Sequence, residues 1–258
     1  MKFQLSTPVL LLLLFYCVQL SAGQATVQFS AETITSVPQQ GEQQGKIYVG
    51  DDRMRTETNI NGSTMIQIID IRNQTAYMLN SGEKTYMRRQ AAGAAASGAG
   101  EVKTGDPCAG MLNISCKKLG TETINNRPAD KWEMTSQQGE DSSKMLTWID
   151  QQRHIPVRQT MPDGSQMEMS MVGTETVKGR KTEKWVMKAS RPGGQSQTSY
   201  QWYDPEIQMN IREEQPGGIV RELVNIRIGK QPASLFKVPS GYSEISIPGA
   251  DAGQGQMY

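Results

Sequence analysis

Few residues in this chain have the types and spacing that catalysis requires. His154 is the only histidine and lies in a predicted turn before Pro156, which is typical of a solvated side chain. Asp150 and Asp204 could form a carboxylate pair for acid–base chemistry, but each begins a turn, where aspartate commonly bonds its own backbone. The sequence contains no phosphate-binding glycine loop, no Gly-x-Ser-x-Gly elbow and no His-Glu-x-x-His motif. We therefore predict no enzymatic activity and no cofactor, with a carboxylate-pair hydrolase as the enzymatic alternative.

The cysteines favour a structural role over metal binding. Cys17 lies in the N-terminal apolar segment, whereas Cys108 and Cys116 lie in the body of the chain. In an exported protein such a pair is expected to form a disulfide, and two free thiols are the alternative. Two thiols and one histidine are too few to complete a zinc site, so we predict no metal.

The N-terminus predicts export. Lys2 is followed by an apolar run of 10 residues from Val9 to Val18 and then by Ser21, Ala22 and Gly23. This pattern is a secretory signal peptide, predicted over residues 1–23, which is too short to span a bilayer. Without Lys2 the chain has 26 basic and 26 acidic residues. A neutral chain argues against nucleic-acid binding, and we predict a protein located in the periplasm or secreted.

The elements that must position any site repeat along the sequence with an offset of 53 or 54 residues. Three motifs recur. Gly120-Thr121-Glu122-Thr123 returns as Gly173-Thr174-Glu175-Thr176, Lys131-Trp132 as Lys184-Trp185, and Trp148-Ile149-Asp150 as Trp202-Tyr203-Asp204. A repeat of this period marks one supersecondary unit used more than once. We expect an internal duplication whose two copies lie side by side in one continuous sheet.

Alternating apolar residues and turn residues predict an almost entirely β protein. Met65 to Ile71 alternates along one strand, and Asn61-Gly62 before it is a hairpin signal. We count about twelve candidate strands, and we expect one helical turn that places Leu235 and Phe236 at the sheet edge before Pro239. The predicted regions are an N-terminal β region over 25–89, an Ala/Gly linker over 90–105, a duplicated β region over 106–247 that completes the same domain, and a disordered tail over 248–258.

The aromatic and thioether side chains admit two interpretations. Ordinary core packing is one, since an indole buries a large area. Lining of a ligand groove is the other, because methionine adapts to irregular apolar ligands. The groove candidates are Trp132, Trp148, Trp185, Trp202, Met167, Met169 and Met171.

Several short motifs, taken in order, resemble a known family. They are Gly45-Lys46-Ile47-Tyr48-Val49, Arg53-Met54-Arg55, Ile69-Asp70, Tyr77-Met78-Leu79, Lys84-Thr85-Tyr86, Trp148-Ile149-Asp150, Ile155-Pro156-Val157-Arg158 and Leu235-Phe236-Lys237-Val238-Pro239-Ser240-Gly241-Tyr242. The run is similar to exported bacterial proteins of the DUF4412 type, which resemble the outer-membrane lipoprotein carriers of the LolA/LolB group. The resemblance implies a strongly curved antiparallel sheet, an open half-barrel whose concave face holds acyl chains. It also adds Arg53 and Arg55 as groove candidates, since the carriers have a functional arginine on an early strand.

These observations lead to two hypotheses of different classes. The first is a non-enzymatic envelope protein that binds a lipid, an acylated protein or another apolar ligand in a concave β-sheet groove. The alternative is an envelope protein-interaction or stress-sensing module without a lipid ligand. The expected partners are a lipid or lipoprotein, or an envelope protein, with no nucleic acid and no transmembrane segment.

Overall fold

The computed structural model describes residues 27–60, 62–73, 75–90, 107–108, 114–138 and 141–245. The predicted signal peptide (1–23), the tail (248–258) and the linker (90–105) beyond Gln90 lie outside the described residues. The described chain is mainly β, as predicted. Its strands are β1 (Phe29–Val37), β2 (Gly41–Gly50), β3 (Arg53–Ile60), β4 (Ser63–Asp70), β5 (Thr75–Asn80), β6 (Thr85–Gln90), β7 (Ile114–Ile124), β8 (Arg127–Gln138), β9 (Asp141–Asp150), β10 (Pro156–Thr160), β11 (Gln166–Val177), β12 (Arg180–Ser190), β13 (Gln197–Asp204), β14 (Met209–Gln215), β15 (Ile219–Ile228) and β16 (Ser243–Glu244).

All sixteen described strands belong to one curved, unclosed sheet. Its order is β16-β6-β5-β4-β3-β2-β1-β15-β14-β13-β12-β11-β10-β9-β8-β7, and every pair is antiparallel except β16 with β6. The first and last long strands, β1 and β15, pair at the centre and join the two halves of the chain. Sixteen strands are described, against a prediction of about twelve, and two of them, β10 with 5 residues and β16 with 2, are too short to show a period in the sequence.

Alternation along the strands creates the core where the two halves meet. In β4 every second residue from Ile66 to Asp70 is buried, as the sequence pattern predicts. Around the β1–β15 junction, Phe29 of β1, Ile47 of β2 and Leu223 of β15 pack in one cluster with side chains from β3 and β14. Burying apolar area stabilises by about 25 cal/mol per Å², so this cluster holds the N-terminal strands onto the repeated region.

The predicted helical turn is present as a 3-10 turn over Ala233–Phe236. We expected it at the sheet edge, but it packs on β3 and β4, which are interior strands. Phe236 is buried there in one cluster with Ile66 and Ile68 of β4 and Leu79 of β5. A Cβ at Gly50 would lie 2.7 Å from the Phe236 ring, so the close approach requires glycine at this position.

Candidate functional site

The methionines of the strands lie on one face of the sheet. Residues directly opposite each other in a ladder share a face, and side chains alternate between faces along a strand. Tracing the pairs from β6 to β7 assigns ten of the eleven methionines in the described strands to the same side, and we call this side the methionine face. The ten are Met54, Met65, Met78, Met87, Met134, Met145, Met167, Met169, Met171 and Met187.

The methionine face has two thioether patches near the two ends of the sheet. Met78 pairs directly with Met87 in one half, and Met134 pairs with Met145 in the other. These four side chains are half-buried, and Met171 is 37% exposed. An apolar surface that stays partly open to solvent is a feature of ligand-binding faces more than of closed cores.

The four tryptophans divide between the two faces. Trp132 pairs with Thr147 and Trp185 pairs with Met171, so both indoles lie on the methionine face. Trp148 pairs with Lys131, the residue before Trp132, and Trp202 pairs with Lys184, the residue before Trp185. The second pair therefore points to the opposite face. Trp148 nevertheless packs in one buried cluster with Trp185 and Met169. These three candidates therefore contribute to the core, and the lining of a groove by tryptophans stays a prediction.

On the opposite face each indole lies between two cations. Trp148 is 4.9 Å from the Lys131 Nζ and 5.7 Å from the Arg158 guanidinium, and its Nε1 donates to Glu122 at 2.7 Å. The hydrogen bonds from Lys131 and then Trp148 lower the pKa of the Glu122 carboxyl from its usual value. Cation–π contacts of this kind stabilise by about 0.5–1 kcal/mol at exposed sites. The indole therefore already has cationic partners and a carboxylate acceptor within the sheet.

The second tryptophan of this face has the same surroundings. Trp202 is 4.9 Å from the Lys184 Nζ and 5.3 Å from the Arg212 guanidinium, and its Nε1 donates to Glu175 at 2.6 Å. The pKa of Glu175 is lowered by hydrogen bonds from Lys184 and then Trp202. A depression of about 360 Å³ lies beside Trp202. The carboxylates that line it are already in ion pairs, because Glu175 binds Lys184 and both Glu214 and Glu222 bind Arg212. We assign this cluster to stabilising the sheet.

Buried arginine–aspartate pairs close the ends of the strands. Arg127 at the start of β8 binds Asp150 at the end of β9 through two guanidinium nitrogens. Asp150 also accepts backbone N–H groups from Gln152 and Arg153. Burial raises the pKa of Asp150, but the bonds from Arg127 and from these amides outweigh burial, and its pKa is below the usual value. The predicted turn-forming role of Asp150 is therefore present, together with an ion pair that we did not predict.

The same pair occurs twice more along the chain. Arg180 at the start of β12 binds Asp204 at the end of β13. In the N-terminal half, Arg53 at the start of β3 binds Asp70 at the end of β4, at 3.1 Å. The repeat offset that links Lys131 to Lys184 in sequence also links Arg127 to Arg180. The sequence therefore shows that the arginine recurs, but not which residue it contacts.

The remaining residues named in the sequence analysis are Arg55, His154 and the two cysteines. Arg55 points to the same side as Arg53, and its Nη1 donates to the carbonyl of Leu235 at 3.0 Å, which ties down the 3-10 turn. His154 is exposed in its turn with φ 53°. Cys108 and Cys116 form the predicted disulfide, with their Cα atoms 5.6 Å apart.

A polar group of side chains lies on the methionine face beside the buried cluster of Phe29, Ile47 and Leu223. Beside Met187 of β12, the ladder continues through Ser199 and Gln201 of β13 and Glu213 of β14 to Arg221 of β15. We call these four residues, Ser199, Gln201, Glu213 and Arg221, the polar row. Asn210 donates to Gln201 at 3.1 Å and to Glu213 at 3.2 Å, and Arg221 binds Glu213 at 3.2 Å.

Two general features complete the description of the site. Among the described residues, no group of three or more His, Cys, Asp or Glu side chains could hold a metal ion. No helix in the described part of the chain is long and apolar enough to cross a bilayer.

Three solved structures illustrate the fold likeness. A LolA superfamily protein from Nitrosomonas europaea has 12% identity and a TM-score of 0.40, with coverage of 86% of this chain and 94% of that one. A DUF1329 family protein from Desulfovibrio piger has 14% identity, coverage of 82% and 90%, and a TM-score of 0.33. A putative outer-membrane lipoprotein-sorting protein domain from Vibrio parahaemolyticus has 10% identity, coverage of 84% and 91%, and a TM-score of 0.31.

Sequence comparison finds a similarity to one family over part of the chain. No curated protein sequence matches the chain. The family model described as domain of unknown function DUF4412 matches residues 32–154, from β1 to the turn after β9, and ends before the second copy of the repeat begins at Gly173. The resemblance inferred from the sequence motifs is thereby confirmed: residues 32–154 are similar to the DUF4412 family.

Proposed function

We propose that this protein binds an acyl chain of a lipid or an acylated protein along the methionine face, in the cell envelope, without catalysing a reaction. The observation that supports the proposal is the placement of ten strand methionines on one side of the sheet, seven of them half-buried. A thioether side chain has three rotatable bonds and adapts to irregular apolar partners. Core packing alone would place methionines on both sides of a sheet that has buried clusters on each.

The opposite face is unsuited to an apolar ligand. In the repeated half it carries ion pairs and cation-flanked indoles, such as Trp148 with Lys131. In the N-terminal half, the turn that contains Phe236 already covers it. The methionine face is the side that combines apolar groups with partial exposure, and the curvature of the sheet suits a long flexible ligand.

The internal repeat explains how such a face arose. We infer that the two sequence copies descend from a duplication of one four-strand unit. Matched contacts support this, since Trp148 and Trp202 have equivalent cation and carboxylate neighbours. Duplication of a unit with methionines on one side extends the same face along the sheet.

The proposal is tested by titrating the delipidated protein with a fluorescent fatty acid. We expect saturable binding at or below tens of micromolar, on the order of 7 kcal/mol of binding free energy. Met187→Gln and Met78→Gln should each weaken binding about tenfold at the patch they line, because each places a polar amide against the chain. The absence of saturable binding would contradict the proposal, and capture of one stoichiometric protein partner without lipid would favour the interaction-module alternative.

The matched control is Val224→Gln. Val224 is a half-buried strand residue that pairs with Glu32 on the opposite face. The substitution makes a similar change from an apolar to an amide side chain, so it should alter stability comparably and leave fatty-acid affinity unchanged. Equal losses of affinity in Val224→Gln and Met187→Gln would show that the effect is not specific to the methionine face.

A further inference from the structure

A depression of about 240 Å³ lies on the methionine face, between Met187 of β12 and the polar row. Its lining includes Met187 and Ala189 on the apolar side and Ser199, Gln201 and Glu213 on the polar side. Pockets that enclose a whole small-molecule ligand measure roughly 300–1,000 Å³. This depression therefore suits one end of a ligand whose remainder lies along the neighbouring methionines.

Ser199 provides an unsatisfied hydrogen-bonding group at this position. The residue is only 6% exposed, and its Oγ has no hydrogen-bond partner. Buried polar groups in folded proteins are almost always paired, and an unpaired one calls for an explanation. Met187 lies directly across the ladder from Ser199, and its flexible side chain is the group that must move for a ligand atom to reach the hydroxyl.

The charges around the depression select against an ionised headgroup. Glu213, which lines the depression, is bound to Arg221 at 3.2 Å. An anionic headgroup would meet the Glu213 carboxylate, and a cationic one would compete with Arg221 for it. A neutral group that both donates and accepts hydrogen bonds meets neither penalty.

We propose that the depression receives the uncharged, hydroxyl- or amide-bearing headgroup of an acylated ligand, with the Ser199 hydroxyl as its hydrogen-bond partner. The acyl chain then lies along Met187 and Ala189 towards the half-buried Met167, the cross-strand partner of Ala189. This inference rests on the proposed function, because it assigns the polar end of a ligand whose apolar end occupies the methionine face.

The experiment compares three ligands that share one oleoyl chain: mono-oleoylglycerol, oleamide and oleate, titrated calorimetrically at pH 8. We expect the two neutral ligands to bind about tenfold more tightly than oleate. Ser199→Ala should weaken both neutral ligands about three- to tenfold, the usual effect of one hydrogen bond, and leave oleate within about twofold. A stronger effect on mono-oleoylglycerol than on oleamide would indicate a glyceryl headgroup, and the reverse would indicate an amide.

Thr147→Val is the matched control. Thr147 is a second buried residue on the methionine face whose hydroxyl has no partner, but it lies on β9, away from the depression. Both substitutions remove an unpaired hydroxyl and should leave the fold intact, yet only Ser199→Ala should change headgroup preference. Equal affinities of oleate and mono-oleoylglycerol, or equal effects of the two substitutions, would overturn the inference.

The outcomes separate this inference from the proposed function. If all three ligands bind and Met187→Gln weakens each of them while Ser199→Ala changes none, the headgroup assignment is wrong and the acyl-binding function stands. If none of the three ligands binds, the proposed function fails and the headgroup assignment fails with it.

Discussion

Replacing Asp150 by Asn is expected to lower the free energy of unfolding by about 3 kcal/mol. The Asp150 side chain is fully buried, and it accepts two guanidinium nitrogens of Arg127 and two backbone N–H groups. Removing one member of a buried ion pair costs about 3–5 kcal/mol, since the remaining charge loses its partner. The lower end applies here because Arg127 is 22% exposed, so water partly solvates its guanidinium.

The measurement is chemical and thermal unfolding of the variant beside the parent protein. A domain of this size loses about 2–4 °C of Tm per kcal/mol, so about 3 kcal/mol corresponds to a fall of roughly 6–12 °C. Arg127→Met and the double variant Arg127→Met/Asp150→Asn complete a double-mutant cycle. We expect a coupling energy of about 1.5 kcal/mol or more, in the middle or upper part of the range of roughly 0.5–3 kcal/mol for residues in contact.

Two controls grade the effect by exposure. Asp70→Asn breaks the related pair with Arg53, whose side chains are 12% and 33% exposed, and it should cost less than Asp150→Asn because solvent screens the pair more. Glu133→Gln breaks a pair with Lys144, which is 64% exposed, and should change stability by less than about 1 kcal/mol. The reasoning is refuted if Asp150→Asn costs no more than Glu133→Gln, or if the cycle shows no coupling.

Three further predictions concern the same scaffold. Because the pKa of Asp150 is lowered in the folded state, its contribution to stability is present above the unfolded-state pKa of about 4 and is lost as pH falls below that value. The free energy of unfolding, measured by urea titration, should therefore change less between pH 6 and pH 3 for Asp150→Asn than for the parent. Replacing Cys108 and Cys116 by serine opens a loop of sequence separation 8 and should lower the free energy of unfolding by about 2–3 kcal/mol in the chain-entropy model. Denaturant unfolding of the oxidised parent and of the variant measures this difference. Trp148→Phe and Trp202→Phe each remove an indole N–H bond to a glutamate and should lower Tm by similar amounts in a thermal scan; a fall in one variant alone would show that the two clusters are not equivalent.

The sequence predicts most of the strands because alternation is a local property. The period-2 pattern from Met65 to Ile71 defines β4 without reference to any other part of the chain. The disulfide and the 3-10 turn were predicted on similarly local grounds, from two nearby cysteines and from a Pro- and Gly-bounded apolar segment.

The face that each tryptophan occupies could not be predicted from its own strand. Trp132 and Trp148 lie in different strands, and their relative orientation depends on which residue of β9 stands opposite Trp132. A shift of one residue in that register would reverse the result. Bulges add to the difficulty, since the extra residue between Lys118 and Gly120 changes the register within one hairpin.

The Arg127–Asp150 pair was missed for a related reason. Its members are separated by the whole β8–β9 hairpin, and neither has an unusual sequence neighbour. The period that links Arg127 to Arg180 was present in the sequence, but a repeated arginine is not informative until the aspartate that it contacts is known.

The proposed function depends on the half-buried methionines, whereas the fold is held by the buried cluster around Phe29 and by ion pairs, and this difference makes the function testable. The ends of the strands are held by pairs such as Arg127 with Asp150 and Arg180 with Asp204, and the opposite face by its charged indole clusters. The methionine face adds half-buried thioethers and the unpaired hydroxyl of Ser199, which contribute less to stability than well-packed aliphatic groups would. A sheet selected for stability alone would replace them with such groups. Substitutions on this face should therefore change ligand affinity with little loss of stability, whereas substitutions in the ion pairs should do the reverse.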